Sequence, residues 1–225
     1  MVLGDSDWQD CGSYWLHLHP QLSPLWIKER KFRLTATNFS AIANPSFYRG
    51  ADDVVKSYQG LATISSAQDQ LASNHGLVNE SKARAWYEKR YNCHVKEVGL
   101  AVPKWNPQIG ASLDGEVEGS NGVIEIKCPA RMYGPINKHL SKRETFPRGY
   151  HDHIFASHYD QMQGGMAVAE KDWCDYIVFC LATEEVFVDR VYFNREYWEG
   201  HVYPKIKEFL ETHDSLFKSL KDKYE

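Results

Sequence analysis

The stretch that most constrains this chain is 122–129, GVIEIKCP, in which charged and aliphatic residues alternate. Successive side chains of a strand point to opposite faces, so Glu125 and Lys127 share one face and the isoleucines beside them occupy the other. The isoleucines predict a strand anchored in a core, and Pro129 predicts its end. Because charges on a buried strand are unfavourable without a partner, these two residues indicate a functional site.

A second carboxylate comes just before this strand. Asp114 ends the preceding strand, and a following turn would bring the chain back, so hairpin pairing predicts that Asp114 lies beside Glu125. Two carboxylates at close range repel, and a divalent cation removes that conflict. Oxygen ligands suit Mg²⁺ or Mn²⁺. Lys127 could then orient or deprotonate a water, or offset charge on a phosphate, which suits phosphodiester hydrolysis.

Simpler interpretations of the same residues remain open. Asp-Gly is a common hairpin turn, so Asp114 and Gly115 could form only a turn. Glu125 and Lys127 could equally belong to an ordinary solvated strand face.

Hydrophobic periodicity and turn residues predict the elements around this stretch. Residues 1–25 are expected to be an irregular lead-in, and residues 129–153 a long polar loop with four cations. Asn79 is a plausible N-cap, which would put Glu80 in the first turn of its helix. The predicted helices lie within 26–43, 51–72, 77–92, 154–169 and 202–222; three strands are predicted within 95–128 and two within 174–193. This order indicates an α/β fold, a central mixed sheet flanked by helices in a single domain over 1–225.

Composition narrows the function and the compartment. The chain has 225 residues and a formal net charge of -4, which argues against a broadly basic nucleic-acid binder but not against a local basic patch. We expect such a patch from Lys28, Arg30, Lys31 and Arg33, together with the 138–148 segment. The sequence has neither a membrane-spanning apolar stretch nor a signal peptide, and its five scattered cysteines indicate free thiols. These features predict an intracellular protein, in the cytoplasm or nucleus of a host, that is not secreted and has no membrane partner.

Four ordered motifs resemble the phage lambda exonuclease type of the PD-(D/E)xK nuclease superfamily, also called YqaJ-like viral recombinase exonucleases. A short E-x-K element alone would be a weak signal, but the order of the four motifs makes it specific. The motifs are WIKER at 26–30 followed by LTAT at 34–37, Gly76-x3-Glu80-x2-Ala83-Arg84, SLDG with IEIKCP between 112 and 129, and YDQMQ at 159–163.

The resemblance implies a restriction-endonuclease-like core and a two-part metal site. Asp114, Glu125 and the main-chain carbonyl of Ile126 would hold catalytic Mg²⁺, for which Mn²⁺ would substitute. Lys127 would act on the nucleophilic water. Glu80 would complete the site through a second metal or its water.

The resemblance also assigns residues outside the metal site. Gln161 would support the site from a neighbouring helix. Arg30 and Thr37 would bind the 5′-terminal phosphate of the degraded strand, with Arg49 as a further candidate contact.

The implied activity is 5′→3′ digestion of double-stranded DNA from its ends, preferably 5′-phosphorylated, which leaves a 3′ single strand for recombination. An annealing protein would receive that strand, and a ring-shaped homotrimer would enclose the DNA. Two alternatives remain at this point: a PD-(D/E)xK endonuclease of the restriction or repair type, and a non-catalytic DNA-end-binding protein.

Overall fold

Two mixed β-sheets and the helices around them make up the computed structural model, which describes residues 6–46, 48–61, 67–129, 154–180 and 183–224. The strands are β1 (Trp8–Asp10), β2 (Tyr14–His17), β3 (Leu34–Thr35), β4 (Val95–Lys96), β5 (Leu100–Pro103), β6 (Ile109–Ser112), β7 (Gly115–Val117), β8 (Gly122–Lys127), β9 (Trp173–Cys180) and β10 (Glu185–Tyr192). The helices are α1 (Pro24–Arg30), a 3₁₀ turn (Ala36–Asn38), α2 (Phe39–Ala43), α3 (Ala51–Tyr58), α4 (Ala67–Tyr91), α5 (Ala156–Ala169), α6 (Arg195–Tyr197), a π-helical turn (Trp198–Val202), α7 (Tyr203–Thr212) and α8 (Asp214–Tyr224).

The strands divide between two sheets that meet at Asp114. One sheet has the order β1-β2-β5-β6-β3 and the other β10-β9-β8-β7-β4. The pairs β3–β6 and β8–β9 are parallel and the remaining pairs are antiparallel. The mixed α/β class is confirmed, but the one central sheet that we predicted is split. Only Leu113 and Asp114 separate β6 from β7, so Asp114 lies where the chain passes between the sheets.

Strand β8 lies between two helices. Ile124 and Ile126 pack in one cluster with Ala83 and Tyr87 of α4, which confirms that the isoleucines face a core. The opposite face carries Glu125, and α5 covers this face. A strand with both faces covered is expected beside a parallel neighbour, here β9.

Helix α5 is held close to α2 by a glycine. A Cβ added to Gly164 would lie 2.3 Å from the ring of Phe39, far inside van der Waals contact. Only glycine therefore permits this approach, which fixes where α5 presents its polar residues. Glu170 follows the last helical residue and caps the helix in a left-handed conformation, with a φ of 49°.

The first 25 residues do not form the irregular lead-in that we predicted. Strands β1 and β2 form an antiparallel hairpin, and Tyr14–Leu16 also pairs with β5, through Ala101–Pro103. Helix α1 follows, with Ser23 as its N-cap and Pro24 at its first position. These strands are short and their partner is distant in sequence, so local periodicity carries little sign of them.

Helix boundaries differ from the prediction at three places. The helix expected over 51–72 ends at Tyr58, with residues 62–66 outside the described part of the chain. The helix expected over 77–92 is α4, which begins at Ala67, so the N-cap assigned to Asn79 is wrong. The segment 202–222 contains two helices, because His213 leaves helical geometry with φ −112° and ψ 22°.

Other expectations have mixed outcomes. The helix within 154–169 and the two strands within 174–193 are confirmed, whereas the region 95–128 contains five strands rather than three. All five cysteines are free thiols, as predicted. The polar loop is described only at Pro129, and residues 130–153 lie outside the described part. Within the described residues, every helix is too short or too polar to cross a bilayer.

Candidate active site

The β7–β8 hairpin brings Asp114 opposite Glu125. Gly115 pairs with Ile124 in antiparallel register, so the preceding aspartate faces the following glutamate. The backbone N–H of Ile126 donates a 2.7 Å hydrogen bond to Oδ2 of Asp114. Since Gly115 lies within β7, the Asp-Gly pair is not the hairpin turn, and that simpler interpretation is wrong.

Glu125, Lys127 and Gln161 form an interlocked polar group. Glu125 is only 4% exposed, so it does not lie on a solvated strand face. Its Oε1 is 2.5 Å from Nζ of Lys127 and accepts a 2.7 Å hydrogen bond from Nε2 of Gln161. Nζ of Lys127 also donates to Oε1 of Gln161 at 3.3 Å. The amide thus touches both charged groups, and α5 fixes their relative position.

Burial and mutual repulsion set the protonation of these groups. Burial raises the pKa of Glu125 to about 7; Lys127 opposes this rise, and Asp114 adds to it. Burial also raises the pKa of Asp114, although Lys127, the Ile126 N–H and Arg84 counteract the effect. Burial alone would lower the pKa of Lys127, but the carboxylates of Glu125 and Asp114 outweigh it and raise that pKa. The lysine therefore stays protonated beside two acids that resist ionisation.

Glu80 approaches the same site from the middle of α4. It lines a cavity of about 290 Å³ together with Asp114, Arg84 and Glu97. Burial, followed by repulsion from Asp114, raises the pKa of Glu80 to about 7. The prediction that Glu80 lies in the first turn of its helix is wrong. A helix N-terminus therefore does not compensate its charge.

Arg84 is a site residue to which sequence reasoning gave no role, although it closes the motif that contains Glu80. Its guanidinium donates a 3.2 Å hydrogen bond to the carbonyl oxygen of Asp114 and forms an ion pair with Glu97. It follows Glu80 by one helical turn, so the two side chains project to the same face of α4. The spacing of four residues between Glu80 and Arg84 is the signal in the sequence that could have identified Arg84.

The donor set fits a divalent cation in its chemistry. Oδ1 of Asp114 and Oε2 of Glu125 accept no hydrogen bond from the described residues, and both carboxylates resist ionisation without a compensating charge. Among those residues there is no group of three or more His, Cys, Asp or Glu arranged to hold a metal. Mg²⁺ commonly uses only one or two carboxylates plus waters and substrate phosphate, so two carboxylates suffice.

Arg30 is bound to the strand that leads into the site. Its Nη1 donates a 2.9 Å hydrogen bond to Oγ of Ser112, and the guanidinium lies 4.4 Å from the ring centroid of Trp26. Trp26 Nε1 also donates to Ser112, at 3.1 Å. Burial lowers the pKa of Arg30, but a guanidinium stays charged in proteins. Sequence reasoning gave no role to Ser112, which lies two residues before Asp114 and so connects Arg30 to the metal site.

Thr37 and Arg49, the other two predicted phosphate contacts, do not line the cavity that contains Arg30. A cavity of about 250 Å³ contains Arg30, Thr35 and Asn38, whereas Thr37 is exposed and does not line it. Arg49 is also exposed, and its Nη2 donates a 2.5 Å hydrogen bond to Oδ1 of Asn38. The structure thus brings Arg30 and Arg49 toward one polar cavity, with Thr35 in place of Thr37.

One of the expected surface cations is not on the surface. Arg33 is 1% exposed, and its Nη1 lies 2.5 Å from Oε2 of Glu29. A buried, paired guanidinium cannot contact DNA, so Arg33 does not belong to the basic patch that we predicted. Lys28 and Lys31 retain solvent exposure, and the 138–148 segment lies outside the described residues.

Comparison with known proteins adds three findings. The family model of the YqaJ-like viral recombinase domain matches residues 25–172. An alkaline exonuclease from Laribacter hongkongensis, LHK-Exo, is 25% identical with a TM-score of 0.65 and coverage of 89% of this chain and 97% of that one. Its complex with dAMP is 26% identical with a TM-score of 0.67 and the same coverage.

A more distant structure agrees in fold alone. A phage-related exonuclease from Haemophilus somnus 129PT is 13% identical with a TM-score of 0.57, covering 86% of this chain and 96% of that one. Among curated proteins, no sequence matches the chain significantly.

Proposed function

The chain belongs to the family of YqaJ-like viral recombinase domains, and on that premise we propose that it is a metal-dependent exonuclease that digests duplex DNA from its ends. The family and the alkaline exonuclease neighbours together support a nuclease that acts on DNA, with the PD-(D/E)xK fold. The observation that carries the proposal is the interlocked group of Glu125, Lys127 and Gln161 next to Asp114.

Asp114, Glu125 and the main-chain carbonyl of Ile126 are the groups that would hold Mg²⁺, with Mn²⁺ as a substitute. Glu80, across the cavity of about 290 Å³, would serve a second ion. A divalent cation there would supply Lewis-acid charge to the scissile phosphate and stabilise the leaving oxygen. Its charge would also compensate the carboxylates whose pKa values burial raises.

Lys127 acts as a proton donor in this proposal. Its Nζ lies against two acceptors, Oε1 of Glu125 and Oε1 of Gln161, and Glu125 and Asp114 raise its pKa. An ammonium group donates to a water or a phosphate oxygen but cannot take a proton. The protonated lysine would orient the attacking water and offset charge on the phosphate. Gln161 is a positioning residue that holds the ammonium and the carboxylate together.

Digestion would run 5′→3′, because a 5′-terminal phosphate would bind near Arg30. A planar, half-buried guanidinium bonded to the hydroxyl of Ser112, in a cavity that Thr35 also lines, suits a doubly charged phosphate. Thr37 and Arg49 are exposed outside this cavity, Arg49 bonded to Asn38 of its lining, and would make further contacts.

The product follows from that direction, and the partners are proposed from the resemblance to the family. Digestion of one strand would leave a 3′ single strand for recombination, received by an annealing protein. A homotrimeric ring around the duplex would keep the enzyme on its substrate. Duplex DNA as substrate would place this activity inside the host cell.

Digestion of end-labelled DNA tests the proposal. Linear duplexes carrying a 5′-phosphate or a 5′-hydroxyl, each labelled at the 5′ or 3′ end, are incubated with Mg²⁺ or with EDTA beside a closed circle. We expect mononucleotides from the labelled 5′ end first, faster digestion of phosphorylated ends, an intact circle and no digestion in EDTA. Cleavage of the circle would instead identify an endonuclease, and binding without digestion a DNA-end-binding protein.

A further inference from the structure

Two adjoining cavities form a groove between α1, α3 and α8. The first, of about 250 Å³, contains Arg30, and the second, of about 430 Å³, contains Lys223. Lys31, Ser57 and Tyr58 line both cavities, so the two are continuous. We call the surface formed by Arg30, Lys31, Ser57, Tyr58 and Lys223 the basic groove.

The charge of the basic groove stands out in this acidic chain. The sequence has 30 acidic residues and a net charge of -4, yet the described residues that line the two cavities include three cations and not one carboxylate. A cavity of about 600 Å³ elsewhere carries both signs of charge, with Glu170, Asp172 and Glu199 beside Lys171 and Arg195. A cavity of about 260 Å³ beside α8 also gathers cations without a carboxylate, but two of them are already paired, Arg33 with Glu29 and Lys218 with Asp214.

The two lysines of the groove lack acidic partners. Neither Lys31 nor Lys223 forms an ion pair with any residue in the described part of the chain, whereas Lys218 on the same helix lies 2.7 Å from Asp214. Nζ of Lys31 lies 4.7 Å, and Nζ of Lys223 5.3 Å, from the ring centroid of Tyr224. Both ammonium groups thus lie near one aromatic ring, and an anion bound in the groove would offset their like charge.

We propose that the lysines of the basic groove bind backbone phosphodiester groups of the DNA substrate, outside the terminal-phosphate site at Arg30. The proposal rests on the exonuclease function and deepens it. Ammonium groups are compact point charges that suit backbone phosphates without reading sequence. The hydroxyl of Ser57 is exposed in the groove and supplies a further donor. Helix α8, where the sequence offers no motif, thereby becomes part of the DNA-binding surface.

The salt dependence of DNA binding tests this proposal. The double variant K31Q/K223Q and the wild type are titrated by fluorescence anisotropy with linear duplexes carrying 5′-phosphate or 5′-hydroxyl ends, in EDTA, over a series of NaCl concentrations. Each phosphate contact that is lost should make the slope of log K against log[NaCl] shallower by about 0.9. We expect that change for each lysine on both duplexes, with affinity roughly tenfold weaker at low salt for the double variant. The preference for 5′-phosphate should stay unchanged.

Matched variants separate local contacts from net charge. K207Q/K218Q removes two exposed lysines from the same C-terminal pair of helices and should bind as the wild type does. K31R/K223R keeps both charges and should preserve the salt slope. Equal thermal midpoints for all variants would show that folding is intact, as expected for the exposed side chains of Lys31 and Lys223.

Two results would contradict the proposal that the basic groove binds DNA. One is a K31Q/K223Q variant with the affinity and salt slope of the wild type. The other is a loss confined to 5′-phosphorylated duplex, which would make these lysines part of the terminal-phosphate site. If the wild type itself neither binds nor digests linear duplex, the exonuclease proposal fails; if it digests normally and the double variant is unchanged, only the groove fails.

Discussion

The backbone N–H of Ile126 donates a 2.7 Å hydrogen bond to Oδ2 of Asp114. This bond fastens the aspartate, which lies between β6 of one sheet and β7 of the other, to the strand that carries Glu125 and Lys127. It also leaves Oδ1 without a hydrogen bond from the described residues. Asp114 is thus fixed through one oxygen and available through the other.

Replacing Asp114 with asparagine should separate activity from folding. Asp114→Asn retains an oxygen that can accept from Ile126, but it removes the charge that would hold a cation. We expect the initial rate of duplex digestion in Mg²⁺ to fall by about two orders of magnitude or more. The metal-free variant should be at least as stable as the wild type, because a half-buried charge that repels Glu80 is gone. Thermal midpoints with and without Mg²⁺ check the second expectation.

Glu118→Gln is the control for that variant, since it removes an exposed carboxylate from the same hairpin. It should digest DNA at the wild-type rate and keep the stabilisation by Mg²⁺. Undiminished digestion by Asp114→Asn would remove this residue from the site.

Lys127 should matter for its charge rather than for its length. Lys127→Met keeps an unbranched side chain but removes the ammonium beside Glu125, and kcat should fall by about two orders of magnitude or more. Lys127→Arg keeps the charge, so it should retain more activity than the methionine variant. Single-turnover digestion measures the chemical step, and anisotropy checks that DNA affinity is preserved. Equal loss in both variants would argue for a role that needs the amine itself.

Gln161 should affect turnover more than binding. Gln161→Met has a similar volume but can neither donate to Glu125 nor accept from Lys127. We expect kcat to fall roughly tenfold, the size of effect that a net hydrogen bond of about 1.4 kcal/mol gives, while KM for duplex ends changes little. A rise in KM with unchanged kcat would place Gln161 on the DNA instead.

The alternation of charged and aliphatic residues was sufficient to predict β8 and the faces on which Glu125 and Lys127 lie. The alternation around Glu125 and Lys127 fixes which side chains share a face, and the register of the hairpin follows from the short turn. The helix that carries Gln161 and the β9–β10 hairpin also have strong local signals. Each of these elements depends on contacts between residues that are close in sequence or on a pattern that repeats.

The parts that the sequence did not predict depend on distant partners. The hairpin of β1 and β2 is completed by β5, and Ser112 acquires its meaning only from Trp26 and Arg30, which are 86 and 82 residues away. Arg33 looked like a surface cation in a charged run, but Glu29 pairs with it in the interior. Without the tertiary contacts, a serine or an arginine in these positions has several equally good interpretations.

Magnesium binding should depend on pH near neutrality. Burial raises the pKa of Glu80 and of Glu125 to about 7, whereas glutamate in an unfolded chain titrates near about 4.3. The folded metal-free protein therefore binds more protons, so this contribution to its stability is present at low pH and is lost as the pH rises through about 7. Because Mg²⁺ binds the ionised carboxylates, the rise in thermal midpoint on adding Mg²⁺ should be larger at pH 8 than at pH 6. Glu125→Gln should reduce the difference between the rises at pH 8 and pH 6. An equal rise at both pH values in the wild type would contradict the predicted pH dependence.

Arg30 should determine the preference for phosphorylated ends. Arg30→Gln removes the guanidinium charge but can still donate to Ser112, so the fold around Trp26 should be preserved. A charge-assisted contact to a doubly charged phosphate is stronger than one to a hydroxyl, and its loss should lower the ratio of digestion rates on 5′-phosphate and 5′-hydroxyl ends by roughly tenfold. Thr37→Val should have a smaller effect than Thr35→Val, because Thr35 and not Thr37 lines the cavity with Arg30. Initial rates on the two duplexes give the ratios directly. A wild type without any preference for phosphate would refute the terminal-phosphate site, and a larger effect at Thr37 than at Thr35 would move that site to the protein surface.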